Sequence, residues 1–185
     1  MKKQYMIVGI VMVVIVSGLS GCLEPRATDY FNEEYEANEN IVLKATTLNG
    51  QIEINAWDGD TISFNAIKKS VFGQEELDNV EINVIESENQ IEIEVEYTGK
   101  RATTPSVDMN IKVPQNVTIG SVKTSNGAIQ ISGTKGDIIA TSSNGAIVIE
   151  NVDGYVSATT SNGRIEIKET TGIKDLKSSN LGINA

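Results

Sequence analysis

The sequence predicts an all-β chain whose second half is a β-solenoid-like stack of two-strand coils. Three observations carry this. Apolar and polar side chains alternate with a period of two from Ile41 onward, no stretch of helical period reaches twelve residues, and Ser-Asn-Gly recurs at 125–127, 143–145 and 161–163, a spacing of 18. Composition limits the chemistry that such a chain can host. Its 185 residues include no His and one Cys, and carry a formal charge of −10. The absence of His excludes Ser-His-Asp and Cys-His nucleophiles and His-ligated zinc. A single Cys excludes intrachain disulfides and Cys-cluster zinc. The acidic balance opposes binding to a phosphate backbone, so no nucleic-acid partner is expected.

Residues 1–21 stand apart from the fold. Lys2 and Lys3 precede the apolar run Met6 to Val16, which is shorter than the roughly 20 residues that a membrane-spanning helix needs. The run ends in Leu19-Ser20-Gly21-Cys22, which closely resembles the lipobox of a lipoprotein signal peptide. The resemblance implies cleavage before Cys22 and a lipid on its thiol and new amino terminus. An ordinary signal peptide with an incidental Cys is the other reading. Either way the mature chain is expected outside the cytoplasm, and with the lipid it lies on a membrane without spanning it. Without residues 1–21 the chain holds 13 basic and 25 acidic residues, net −12, and the acidity is one-sided. Residues 22–99 carry 18 acids and 4 bases, whereas residues 100–185 carry 7 acids and 9 bases.

Residues 22–40 read as an acidic tether, which like charges would extend, or as a first strand, which Tyr30, Phe31 and Tyr35 favour. Residues 41–185 read as one β domain. Strands are expected at Ile52-Glu53-Ile54, at 61–64, and at 80–84 and 91–97, the last two joined as a hairpin around 87–90. Gln74 to Asn79 suits one short helical turn. The regular coils begin near residue 118. Within them Gly127, Gly136, Gly145, Gly154, Gly163 and Gly172 are nine apart, and apolar residues fall two and four places after most of them, as in Ile129/Ile131, Ile147/Ile149 and Ile165/Ile167.

Each nine-residue unit thus reads as a turn, opened by a Gly that tolerates positive φ, followed by a short strand. Two such units make a coil, and stacked coils align Ile129, Ile147 and Ile165 in one ladder and Asn126, Asn144 and Asn162 in another. Because Asn-Gly also suits a two-residue hairpin turn, an antiparallel β-meander or roll is the rival architecture. The segment Asn49-Gly50-Gln51-Ile52-Glu53-Ile54 echoes the repeat inside the acidic half.

The run of Ser/Thr-Asn-Gly-x-Ile-x-Ile units at 124–167, with the earlier echo leading to Trp57-Asp58-Gly59, resembles the putative-adhesin family of bacterial and archaeal cell-surface proteins. The resemblance implies a surface location and an adhesive or scaffolding role, and it supplies no catalytic residues.

Candidate sites divide between function and architecture. Ser125, Ser143 and Ser161, each behind another hydroxyl residue, form either a ligand-binding stripe or partners for turn backbones. Trp57, the one Trp, either stacks on a sugar ring or packs a coil end. Glu92, Glu94 and Glu96 line one strand face, which suits a solvated surface better than a calcium site, so no metal is assigned. Asn116-Val117-Thr118 fits the N-glycosylation pattern. With no phosphate loop, nucleophile elbow or cofactor motif, the chain reads as a non-enzyme without a cofactor. The leading expectation is a membrane-anchored adhesin or protein-interaction scaffold of the cell envelope, with an envelope protein or glycan as partner and self-association through the last coil near 178–185. A carbohydrate-binding or carbohydrate-active protein and an accessory to envelope stress sensing are the alternatives.

Overall fold

Alternation becomes strand along nearly the whole length of the computed structural model, which describes residues 25–38, 40–100 and 104–185. Among the described residues, thirteen strands and one short helix follow one another. The first half holds β1 (Ala27–Glu36), β2 (Val42–Thr46), β3 (Ile52–Trp57), β4 (Thr61–Ser70), α1 (Gln74–Leu77), β5 (Val80–Ser87), β6 (Gln90–Tyr97) and β7 (Ser106–Pro114). The second half holds β8 (Thr118–Thr124), β9 (Ile129–Ser132), β10 (Ile138–Ser142), β11 (Ile147–Thr160), β12 (Ile165–Ser178) and β13 (Ile183–Asn184). The expected helical turn is α1, the expected hairpin is β5–β6, and residues 27–36 form a strand against β4.

All the strands belong to one sheet that curls into an open half-barrel. The curl is built into β11. Its first residues, 147–150, pair with β9, and its last, 156–160, pair with β10. Between them Asn151 turns the chain with φ 52°, and β12 turns at Glu169 with φ 50°. One arm of the sheet therefore runs β1-β4-β7-β3-β9-β11, and the other runs β11-β10-β8-β2-β6-β5. The inward rows of both arms meet in a single core that includes Ile52, Ile54, Ile129, Ile147 and Ile165 from one arm and Leu43, Ile93, Val122, Ala140 and Ala158 from the other.

Pairing between successive repeats is parallel at an offset of 18. Ile129 pairs with Ile147, Ile147 with Ile165, and Ile165 with Ile183, while Ala140 pairs with Ala158 and Ala158 with Leu176. The Asn-Gly corners of the repeats therefore close no hairpins; among the described residues, antiparallel pairs occur only at β1–β4, β4–β7 and β5–β6. The sequence echo at Asn49-Gly50 belongs to the same series, since β3 lies against β9 with Ile52 opposite Ile129. Spatial order departs from chain order at this point. The β2–β3 unit is flanked on one side by β6 and β7 and on the other by β8 and β9, so a late segment lies outside an early one.

The glycines of the repeat follow a different rule from the one expected. Of the six glycines spaced by nine, Gly136 alone has a positive φ; the left-handed turns of the repeat lie at Gly133, Asn151 and Glu169, themselves 18 apart. Gly127, Gly145 and Gly163 are required by contact. A Cβ on Gly127 would stand 1.7 Å from the carbonyl oxygen of Gly50, one on Gly145 1.7 Å from that of Gly127, and one on Gly163 1.8 Å from that of Gly145. Backbone is stacked on backbone at this corner, and no side chain can enter. Gly154 is held likewise, with the Gly136 carbonyl oxygen 2.0 Å away, whereas at Gly172 the nearest atoms belong to the Tyr155 ring.

Replacing Gly145 with Ala should cost about 3 kcal/mol, because the obstructing atom is backbone inside a packed stack. Gly182→Ala, whose added Cβ meets nothing within 4 Å, should stay within about 0.5 kcal/mol of the parent. Urea unfolding of the two variants side by side measures the contrast.

Candidate functional site

The tight glycine corner organises the surface beside it. One residue type recurs just before each Ser-Asn-Gly, and it is a hydroxyl. Thr124 Oγ1 donates to the Gly50 carbonyl at 3.1 Å, Ser142 Oγ to the Gly127 carbonyl at 3.0 Å, Thr160 Oγ1 to the Gly145 carbonyl at 3.0 Å and Ser178 Oγ to the Gly163 carbonyl at 2.9 Å. The same oxygens accept from the amides of the following turn, Gly145 N–H to Ser142 at 2.9 Å and Gly163 N–H to Thr160 at 3.1 Å. These hydroxyls are buried at 124, 142 and 160 and serve the backbone. The second members of the pairs behave differently. Ser143 and Ser161 are exposed and Ser125 is half-buried, and none of their side chains makes a hydrogen bond among the described residues.

Next to the serines runs the asparagine ladder. Asn144 Nδ2 donates to Asn126 Oδ1 at 2.6 Å and Asn162 Nδ2 to Asn144 Oδ1 at 2.7 Å; Asn126 donates likewise to Asn49, and Asn180 to Asn162. The ladder ends at Asn49, whose amide donates to the Thr104 carbonyl at 3.1 Å. Its rungs are solvent-exposed, so each contributes about 1 kcal/mol or less. Their larger effect is to hold the corner in register.

A groove of about 460 Å³ opens alongside this corner. Its lining includes Ser125 and Ser143 together with Leu48, Val95 and Tyr97, and Leu48 is stacked next to Ser125, whose amide donates to the Leu48 carbonyl at 3.1 Å. The apolar part of the lining has a topological cause. In register Thr46 is opposite Glu94, and β2 ends there, so Val95 and Tyr97 of β6 continue beyond their neighbour. Leu48 is 46 % exposed and stands where the later repeats have Ser125, Ser143 and Ser161. That substitution in an otherwise regular column is the sequence signal for the apolar part of the lining. Lys123 is the one charged group of the lining.

Elsewhere on the surface, charges line up between repeats. Lys168 Nζ lies 3.0 Å from Glu150 and 2.7 Å from Glu166, and Lys174 lies 2.5 Å from Asp137. The Lys174 hydrogen bond, aided by one from the Tyr155 amide, holds the Asp137 carboxyl below its ordinary range; hydrogen bonds to Glu166 and Glu150 hold Lys168 above its own. Both groups are solvated, so the pairs set register more than they stabilise.

Trp57 lies away from the groove, on β3. Its indole N–H donates to the Thr61 carbonyl at 3.0 Å, its ring packs at Gly59, and Lys112 Nζ lies 5.8 Å from the ring centroid. It is half-buried at a strand end and retains an outer edge. Of the carboxylate row, Glu92 is opposite Lys44 and Glu94 opposite Thr46, while Glu96 is opposite Glu81 on β5. Asn116 is exposed in the turn after β7. Cys22 and the expected export segment, residues 1–21, lie outside the described residues.

No family model and no curated protein matches the chain. Solved structures do match its fold. A putative cell adhesion protein from Clostridium sporogenes superposes with a TM-score of 0.58 at 9% identity, over 84% of this chain and 98% of its own. A putative adhesin from Bacteroides fragilis gives a TM-score of 0.39 at 14% identity, over 83% of this chain and 95% of its own. At 9% identity the first likeness establishes a shared fold. It is the kind of neighbour that the repeat motifs lead one to expect.

The two hydroxyls of each pair should separate cleanly on mutation. Ser142→Ala strips a partner from a buried carbonyl and a glycine amide and should lower stability by about 1–3 kcal/mol. Ser143→Ala should change it by less than about 0.5 kcal/mol. Thermal unfolding monitored by circular dichroism reads both.

Proposed function

We propose that this chain is a lipoprotein, anchored through Cys22 outside the cytoplasm, whose β-repeat domain serves as an adhesin-like scaffold for another envelope protein. The groove carries this reading. It sets an exposed Leu48 and the Tyr97 ring beside the regularly spaced hydroxyls of Ser125 and Ser143. An apolar anchor beside a row of donors and acceptors suits an extended protein segment, which presents side chains and backbone together. The hydroxyls are borne on a stapled corner, so little ordering cost accompanies binding.

The finer architecture in this proposal is a β-solenoid-like stack of two-strand coils. Support comes from the parallel pairing at an offset of 18 and from the glycine and asparagine columns that follow the same interval. In such a stack each coil contacts only its neighbours and can be removed as a unit. Residues 22–40 link anchor and repeats. Because β1 begins at Ala27, the reach from Cys22 to the sheet is at most about 18 Å, which keeps the domain close to the membrane. The adhesion name of the Clostridium sporogenes structure is consistent with this surface role.

Three measurements test these statements. Cys22→Ala should abolish incorporation of labelled fatty acid and release the protein from the membrane fraction; retention with label would overturn the anchor. A photo-crosslinker at residue 143 in intact cells should yield a discrete protein adduct that disappears with Leu48→Asp, and an unchanged adduct in that variant would overturn the groove. Deleting residues 145–162, one full interval, should leave a cooperatively unfolding protein, whereas deleting 145–153 should leave none.

A further inference from the structure

The corner on the opposite side of the repeat, where the chain turns through Gly133 and Asn151, carries a second recess with a different chemistry. It is a cleft of about 440 Å³, within the roughly 300–1,000 Å³ of small-ligand sites. Its lining is polar: amides from Asn55, Gln115 and Asn151, hydroxyls from Ser132 and Thr134, and one charge of each sign, Lys135 and Asp153.

Thr134 is the decisive residue. It is 6% exposed, and its Oγ1 is the one buried side-chain polar atom among the described residues without a hydrogen-bond partner. Buried hydroxyls are nearly always paired, because leaving one unpaired costs free energy. Thr134 is one of the residues that line the cleft. Around it the Gln115 and Asn151 amides make no side-chain hydrogen bond among the described residues, and the Lys135 ammonium makes no ion pair among them.

The donor set selects a ligand class. A divalent cation needs several anionic oxygens, and here one carboxylate stands beside an ammonium. A phosphate group wants several positive donors and meets one, again beside a carboxylate. Amides, hydroxyls and a balanced charge pair both donate and accept, which matches an uncharged ligand dense in hydroxyls. A sugar-stacking surface is near at hand. Asn55 and Trp57 are two apart on β3 and share a face, and Trp57 is opposite Pro114, the residue before Gln115. We infer that this corner cleft is a binding site for a neutral carbohydrate, with Thr134 Oγ1, Asn151 and Gln115 as its hydrogen-bonding groups and Trp57 at its edge. The inference is independent of the groove, which lies at the other corner.

The test is a glycan array of neutral and acidic oligosaccharides probed with the full chain in detergent. Neutral glycans should bind. Thr134→Val, which keeps the shape and removes the hydroxyl, should weaken binding at least tenfold with an unchanged or raised melting temperature. Asn151→Asp, which tolerates the same left-handed backbone, should weaken it similarly, and Ser143→Arg in the groove should leave it intact. Silence on neutral glycans, binding to acidic glycans alone, or binding insensitive to Thr134→Val would each overturn the proposal. Should Asn151→Asp fail to melt cooperatively, Thr134→Val decides by itself.

Discussion

Everything else in this molecule depends on how closely the chain can approach itself at one corner. Glycine stacks on glycine there so tightly that a single methyl group would overlap the neighbouring carbonyl. That approach lets the buried hydroxyls at 124, 142 and 160 reach across to the preceding carbonyl, and it sets the spacing at which the asparagine amides meet. The inward rows of isoleucine follow from the same spacing. Hydrophobic burial supplies most of the stabilisation, but the corner decides the register in which that burial occurs.

The two corners of the repeat divide the work. The glycine corner is filled by backbone and closed by hydroxyls, so it is rigid, and the groove beside it inherits that rigidity. The opposite corner is turned by left-handed residues, of which Asn151 and Glu169 bear side chains. It has room for polar groups that point outward and for a recess between them. A regular repeat can thus present two unlike surfaces without any interruption of its period.

The second half of the fold was legible in the sequence because its constraints recur. The interval of 18, the inward pairs such as Ile147/Ile149 and the asparagine column all have a local signature repeated three times or more. The reason for each glycine was not legible. A glycine needed for positive φ and one needed for lack of a Cβ look alike in sequence, and the contact that separates them comes from a residue 18 or more places away. The left-handed turn at Glu169 carried no signal, since glutamate is not a residue one associates with that conformation. The groove was half visible: Ser125 and Ser143 stood out, but Tyr97 joins them only because β6 lies beside β2. Trp57 gave no hint of which way it would face, and the corner cleft is assembled from four separate segments.

The insertion of β2 and β3 between later strands also bears on how the chain comes to be folded. Neither strand has a partner earlier in the chain than residue 90, since β2 pairs with β6 and β8 and β3 with β7 and β9. Repeat arrays can nucleate at any unit and propagate to the next; here the β2–β3 unit cannot pair until later strands reach it on both sides. Long-range pairing of this kind is slow, and waiting strands are prone to the wrong partners. The lopsided acidity acquires a purpose in that interval. Concentrated in residues 22–99, it makes the early half of one chain repel the same half of another while β2 and β3 are still unpaired.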